Sequence, residues 1–124
     1  MMKFDHLNIP VTDLARSRDW YVSTLGLKVE FEMPERRSVA LQDCEGFAIF
    51  LQEISEPVAP RGCALWFQVR DVDATHAEWV ARGVTFTHAP KKSFWGYGAE
   101  LADPDGYLIR LWDEQSMKSS ARNP

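Results

Sequence analysis

The segment His6–Leu14, HLNIPVTDL, occurs a second time in altered form as Ala64–Val72, ALWFQVRDV, at a constant offset of 58 residues (6 to 64, 14 to 72). In the first copy apolar and polar side chains alternate, which is typical of a strand with one face in a hydrophobic layer. Asp13 in the first copy, and Asp71 or Asp73 in the second, then stand where a helix N-cap is favoured. A repeat of this length indicates that the chain consists of two copies of one supersecondary unit.

The order of elements in each copy is predicted to be β-α-β-β-β, which places the chain in the α+β class. The units span about residues 3–54 and 63–114, and a linker with two prolines, 55–62, joins them. The strands predicted in the second unit are 64–69, 84–86, 98–102 and 107–112. Residues 89–95 are predicted to form a loop. The polar tail, 115–124, shows no periodicity and is predicted to be flexible.

Composition limits the kinds of partner that the chain can have. It has 124 residues, 45% of them hydrophobic and 26% charged, so residues 1–124 are expected to form one globular domain. The net charge is −4 and no basic stripe is present to neutralise phosphates, so no nucleic-acid partner is expected. Neither a membrane span nor a secretory signal is recognisable. Cys44 and Cys63 have no metal-type or disulfide spacing, which favours a cytoplasmic location.

Two motifs carry a family resemblance. One is DLxxSxxWYxxxLG at residues 13–26, and the other is DPDG at residues 103–106. Together with the paired β-α-β-β-β units, they resemble the vicinal oxygen chelate superfamily of glyoxalases, bleomycin-resistance proteins and extradiol dioxygenases. The resemblance spans Phe4 to Trp112. It implies a curled mixed sheet with a concave pocket and a homodimer, whose pockets lie either within each chain or between the two chains.

The resemblance also implies four positions at which metalloenzymes of the family hold a divalent ion. In this chain the opening strands place His6 and Ala64 at two of them. The closing strands place Arg110 at the third and, depending on strand register, Phe50 or Gln52 at the fourth. A divalent site needs three or four nitrogen or oxygen ligands, which a methyl group and a guanidinium cannot supply. No metal site or other cofactor is therefore predicted.

The DPDG turn indicates a three-residue hairpin loop, in which Glu100 opposes Arg110 on one face of the sheet. Two interpretations of this pair remain open. In one, the two side chains form a cross-strand ion pair and nothing else. In the other, Arg110 also donates hydrogen bonds to an anionic or carbonyl group of a ligand. His6, which lacks metal-binding partners, is expected to line the pocket as a donor or as a proton acceptor.

Aromatic side chains complete the predicted pocket. Five tryptophans in 124 residues are many, and two of them, Trp66 and Trp112, share strand faces with Ala64 and Arg110. An aromatic pocket with a few polar groups is typical of a site for an organic ligand. His88 is expected in a loop, exposed to solvent. The predicted ligand-binding residues are His6, Asn8, Phe50, Trp66, Gln68, Trp95, Glu100, Arg110 and Trp112.

Three hypotheses for function follow. The leading one is a metal-independent protein that binds a planar, partly polar organic compound. The second is a metal-dependent lyase, isomerase or dioxygenase, with one divalent metal at His6 and further ligands from Gln52, Glu53 or Glu100. The third is metal-free catalysis, with His6 as general base and Arg110 stabilising an anion.

Overall fold

The computed structural model describes residues 2–60 and 62–122. The chain divides into two compact units, Met1–Ala59 and Pro60–Pro124. Each described unit contains a four-stranded mixed sheet, and the tandem β-α-β-β-β order predicted from the repeat is confirmed. The prediction for residues 123 and 124, and for residue 61 of the linker, lies outside the described residues.

The first unit contains one sheet and one α-helix in its described residues. Its elements in chain order are β1 (His6–Val11), α1 (Leu14–Ser23), β2 (Lys28–Met33), a 3₁₀ turn (Pro34–Arg36), β3 (Ser38–Gln42) and β4 (Ala48–Glu53). The strand order is β1-β4-β3-β2, with β1 parallel to β4 and the other pairs antiparallel. Ile9, Val39 and Leu51 are buried on the face of this sheet that α1 covers, and Tyr21 of α1 is fully buried.

The second unit repeats the pattern and adds a helix. Its elements are β5 (Ala64–Gln68), α2 (Val72–Ala81), β6 (His88–Ser93), β7 (Gly96–Ala102), β8 (Leu108–Trp112) and α3 (Glu114–Arg122). The strand order is β5-β8-β7-β6, with β5 parallel to β8. Leu101, Ile109 and Leu111 are the largest fully buried aliphatic side chains of this sheet. No helix in the described ranges is long and apolar enough to cross a membrane.

Both predicted helix starts are capped by aspartate. The side chain of Asp13 accepts a hydrogen bond from the backbone N–H of Arg16 at 3.0 Å, and Asp71 accepts one from Ala74 at 3.0 Å. Each bond satisfies a backbone donor that the first turn of a helix otherwise leaves without a partner. Of the two caps considered for α2, Asp71 is therefore the one used.

A second carboxylate, which the sequence analysis did not find, holds each helix start against the sheet. Glu53, at the end of β4, accepts from the backbone N–H of Leu14 at 2.9 Å. Asp113, which follows β8, accepts from that of Val72 at 2.7 Å. Leu14 and Val72 are equivalent in the repeat, so the two contacts correspond. They connect the last strand of each unit to the helix that follows its first strand.

Two predictions for the second unit are wrong at the strand that follows α2. Residues 84–86 form no strand, and His88–Ser93, expected in a loop, forms β6. The sequence HAPKKS is poor in strand-forming residues, but β6 lies at the edge of its sheet and pairs only with β7. Proline and lysine are tolerated on edge strands because one side of the backbone needs no partner there.

The tail that was predicted to be flexible contains a helix in its described part, since Glu114–Arg122 forms α3. Asp113 caps this helix by accepting from the backbone N–H of Ser116 at 2.6 Å. Lys118 and Glu114 form an ion pair at 2.7 Å, one turn apart. Met117 lies against Gly96, where a Cβ would collide with its sulfur. The capping residue and the packing of one methionine explain why this segment is helical, although it has too few apolar residues for their spacing to predict a helix.

Candidate functional site

A row of four side chains crosses the second sheet on the face opposite α2. Strand register places Trp66 of β5 beside Arg110 of β8, Arg110 beside Glu100 of β7, and Glu100 beside His88 of β6. Residues directly opposite each other in adjacent strands point to the same face. We call this surface the Arg110 face. The row places a cation, a carboxylate, an imidazole and an indole side by side on one face.

The predicted pair of Arg110 and Glu100 is confirmed as a cross-strand ion pair. Arg110 Nε donates to Glu100 Oε2 at 3.1 Å, and the two side chains are only 14% and 15% exposed. The other oxygen, Oε1, accepts from the hydroxyl of Thr87 at 2.9 Å. Burial raises the pKa of Glu100, but the hydrogen bonds from Arg110 and Thr87 outweigh it, so the pKa lies below its usual value. Glu100 is therefore ionised at neutral pH.

Three aromatic rings enclose the guanidinium of Arg110. Its central carbon lies 5.6 Å from the ring centre of Trp66, 5.4 Å from that of Phe94 and 5.5 Å from that of Trp95. Trp66 and Trp95 also meet edge to face, with centres 4.7 Å apart. Cation–π contacts of this kind hold a guanidinium in place as well as attract it. Much ring surface stays open, since Trp66 is 45% and Phe94 91% exposed.

Gly98 makes room for Trp95 on the Arg110 face. A Cβ at Gly98 would collide with the tip of the Trp95 ring and with the backbone carbonyl of Leu111. Trp95, in the turn between β6 and β7, can therefore place its indole over the sheet. It can do so because position 98 has no side chain. This requirement is one of close approach, since no unusual backbone angle is involved.

Replacing Gly98 with alanine is expected to lower the free energy of unfolding by about 1–3 kcal/mol, because the added methyl group has no free space. Near-UV circular dichroism should change as Trp95 moves, and urea unfolding gives the cost. Trp95→Ala is the matched background, since it removes one of the two obstacles. An equal cost of Gly98→Ala in both backgrounds would show that Trp95 does not lie over Gly98.

The equivalent face of the first sheet carries a different set of side chains. Phe50 opposes Asn8 as Arg110 opposes Trp66, so Phe50 is the counterpart of Arg110. The ring of His6 stacks on Phe50 with centres 3.7 Å apart and planes 17° apart, and Nδ1 of His6 contacts Asp5 at 2.7 Å. The strand register left open by the sequence is thereby settled.

The donor set at the four family positions does not fit a divalent metal. Ala64 and Phe50 offer no nitrogen or oxygen, and Arg110 is a cation already bonded to Glu100. Within residues 2–60 and 62–122, no three His, Cys, Asp or Glu side chains come together as metal ligands would. The further ligands of the metal hypothesis have other partners. Glu53 accepts from Leu14, and Gln52 donates to the carbonyl of Arg36 at 2.7 Å.

The structure brings most of the predicted site residues together in two groups, one in each unit. The Arg110 face holds Trp66, Trp95, Glu100 and Arg110 in contact, with Gln68 opposite Trp112 one step along β5 and β8. The first sheet holds His6, Asn8 and Phe50 together.

Sequence reasoning missed Thr87, Gly98 and the position of His88. It failed there because β6 was not recognised as a strand, so the residues of β7 that pair with β6 could not be predicted. An edge strand carrying Pro90 and two lysines was the available signal.

Tyr97 lies on the opposite face of the sheet, against the helices, although Phe94 and Trp95 of the Arg110 face precede it closely in the chain. Its hydroxyl donates to Asp73 of α2 at 2.7 Å, and this bond, with burial, raises the pKa of Tyr97 to about 12. A cavity of about 540 Å³ lies beside it, lined by residues around the start of α2 and by one side of α3. Tyr97 therefore belongs to the helix packing and not to the Arg110 face.

Comparison with known families places the fold. Residues 3–111 match the model of the Glyoxalase/Bleomycin resistance protein/Dioxygenase superfamily. The chain belongs to this superfamily. The resemblance stated from the DLxxSxxWYxxxLG and DPDG motifs is thereby confirmed. No curated protein sequence matches the chain.

Solved structures of the superfamily fold resemble the chain over nearly its whole length. A possible glyoxalase from Bacillus cereus matches at 22% identity, with 90% of this chain and 98% of that chain covered and a TM-score of 0.73. The bleomycin-binding protein from Streptomyces verticillus, in complex with copper(II)-bleomycin, matches at 21%, with 92% and 99% covered and a TM-score of 0.72. TnmS3, an antibiotic binding protein from Streptomyces sp. CB03234, matches at 28%, with 91% and 96% covered and a TM-score of 0.73.

Proposed function

We propose that this protein binds a planar, partly polar organic compound without a metal ion. The observation that carries the proposal is the enclosure of Arg110 by three aromatic rings and one carboxylate on an open sheet face. Sites for organic ligands combine aromatic surface with a few well-placed polar groups. The lack of a fitting donor set supports binding without a metal.

The likeness to two antibiotic-binding proteins supports the binding of an organic compound. TnmS3, at 28% identity, is an antibiotic binding protein, and the Streptomyces verticillus protein binds bleomycin. We infer from this that the chain acts by holding its ligand. Sequestration or transport of a compound would be the biological result.

The roles of the individual residues in binding follow from their chemistry. Trp66 and Phe94 offer exposed ring surface for stacking, and Arg110 offers hydrogen-bond donors. Gln68 and Trp112 extend the Arg110 face along the strands. In the first unit, His6, Asn8 and Phe50 form the corresponding polar and aromatic surface, and we propose that they also contact ligand.

Three further proposals concern the state of the protein. We propose that the two units form one domain and that the chain forms a homodimer, the commonest closed assembly of soluble proteins. We also propose a cytoplasmic location, where the free thiols of Cys44 and Cys63 would stay reduced. Light scattering on the purified protein tests the homodimer, for which a mass twice that of the 14.2 kDa chain is expected.

A compound screen tests the binding function. Protein dialysed against EDTA is melted in the presence of planar organic compounds, and at least one is expected to raise Tm in a saturable way, since ligand bound only to the folded state stabilises it. Trp66→Ala should abolish the shift, whereas Trp79→Ala, on α2, should keep it. The proposal would be contradicted by a broad panel without a hit, or by shifts that persist in Trp66→Ala.

A further inference from the structure

The guanidinium of Arg110 has one edge that the protein uses and one edge that it does not. Nε donates to Glu100, and this is the hydrogen bond that Arg110 makes to the described residues. Neither terminal amino group, Nη1 or Nη2, has an acceptor among residues 2–60 and 62–122. A guanidinium presents these two groups side by side, in the plane of the group. The edge formed by Nη1 and Nη2 therefore offers two N–H donors that have no acceptor in the part of the chain that the structure describes.

Aromatic rings surround the guanidinium of Arg110 and limit the access of a hydrogen-bond acceptor. Trp66, Phe94 and Trp95 approach the guanidinium to within 5.4–5.6 Å, and the whole side chain is only 14% exposed. Donors in such partly dry surroundings gain much from a partner and lose much without one. An acceptor that reaches the free edge in plane would satisfy both amino groups at once. Two oxygens held about as far apart as the two nitrogens, as in a carboxylate, fit this edge.

The charge of the Arg110 face favours an anion. Glu100 contributes one negative charge and Arg110 one positive charge. Lys91 of β6 stands opposite Gly98 in register, and therefore on the same face, and it is exposed. The face as a whole thus carries at least one positive charge more than its negative charge.

Resting on the proposed function, we propose that the ligand class is aromatic carboxylates. The carboxylate binds the terminal amino groups of Arg110 in a bidentate way. The attached ring lies against the exposed surfaces of Trp66 and Phe94. Glu100 acts as a positioning residue, since its bond to Nε fixes the guanidinium and leaves Nη1 and Nη2 for the ligand.

The test compares two probes of the same shape, 2-naphthoate and its neutral amide 2-naphthamide, by calorimetric titration at neutral pH. The wild-type protein is expected to bind naphthoate at least tenfold more tightly than the amide, because the carboxylate carries the opposite charge and accepts two hydrogen bonds from the guanidinium, whereas the neutral amide accepts one. Arg110→Lys should weaken naphthoate binding about tenfold and leave amide binding unchanged, since lysine keeps the charge but loses the planar edge. Arg82→Lys is the matched control, because Arg82 also lies over a tryptophan ring. That ring belongs to Trp79 of α2, outside the Arg110 face.

Lys91→Ala keeps the test informative if Arg110→Lys impairs folding, because this exposed side chain contributes only charge. It should weaken naphthoate binding two- to threefold and leave the amide unaffected. Equal affinity for the two probes, or unchanged naphthoate affinity in Arg110→Lys, would overturn the proposal. If neither probe binds while compounds of the wider panel do, the ligand class is wrong and the binding function stands. If nothing binds at all, the binding function fails with it.

Discussion

Replacing Asp113 with alanine is expected to lower the free energy of unfolding by about 3 kcal/mol and Tm by about 10 °C. Asp113 is 3% exposed and accepts from the backbone N–H groups of Val72 and Ser116 and from the Ser116 hydroxyl. The change removes the cap of α3 and leaves a donor at the start of α2 without its partner. Urea and thermal unfolding of the purified variant measure the loss.

The same side chain predicts a dependence on pH. Burial raises the pKa of Asp113, but its hydrogen bonds to Val72 and Ser116 outweigh it, so the folded-state pKa lies below the unfolded value. The stabilisation is therefore present above the unfolded pKa and is lost as pH falls through the folded pKa. Asp113→Asn should remove this part of the acid dependence.

The exposed cap Asp71 on the same helix α2 provides the comparison for Asp113. It accepts one hydrogen bond, from Ala74, so Asp71→Ala should cost about 1 kcal/mol. A cost for Asp71→Ala as large as that for Asp113→Ala would contradict the role of Asp113 as the link between both helices and the sheet.

Replacing Glu100 with leucine is expected to cost about 2 kcal/mol, because the guanidinium of Arg110 then stays among three aromatic rings without its counter-charge. Changing both residues, to leucine and methionine, should cost less than Glu100→Leu alone, since no unpaired charge remains. Urea unfolding of the wild type, Glu100→Leu, Arg110→Met and the double variant gives four free energies of unfolding. The departure of the double variant from the sum of the two single variants is the coupling energy between the side chains.

The ion pair of Arg18 and Glu32 provides the control for the Glu100 variants. It has a similar distance, 2.9 Å, but its side chains are 32% and 48% exposed, so Glu32→Gln should cost well under 1 kcal/mol. If the double variant is no more stable than Glu100→Leu, then Arg110 does not depend on Glu100 for its charge balance.

The parts of the fold that could be predicted are those set by local sequence. Strand alternation, an aspartate in front of a helical pattern and a DPDG turn are all encoded within a few residues. The turn even fixed the partner of Arg110, because a hairpin loop of known length determines which residues oppose each other. These features gave both β-α-β-β-β units and the pairing of Glu100.

The parts that could not be predicted depend on contacts between distant residues. β6 forms only because β7 pairs with it, and its own residues disfavour a strand. α3 depends on Asp113, a residue that also serves α2 some 41 positions earlier in the chain. On the Arg110 face, Thr87 reaches Glu100 only through β6, and Trp95 lies over the sheet only because position 98 is glycine.

The most direct test of the account is an NMR titration that follows the indole N–H signals of the five tryptophans in protein treated with EDTA. The titrant is the compound from the screen that raises Tm most. The account predicts saturable shifts at Trp66 and Trp95, and at Trp112 on the same face, with Trp20 and Trp79 on the helices unaffected. Shifts confined to Trp20 and Trp79 would contradict it.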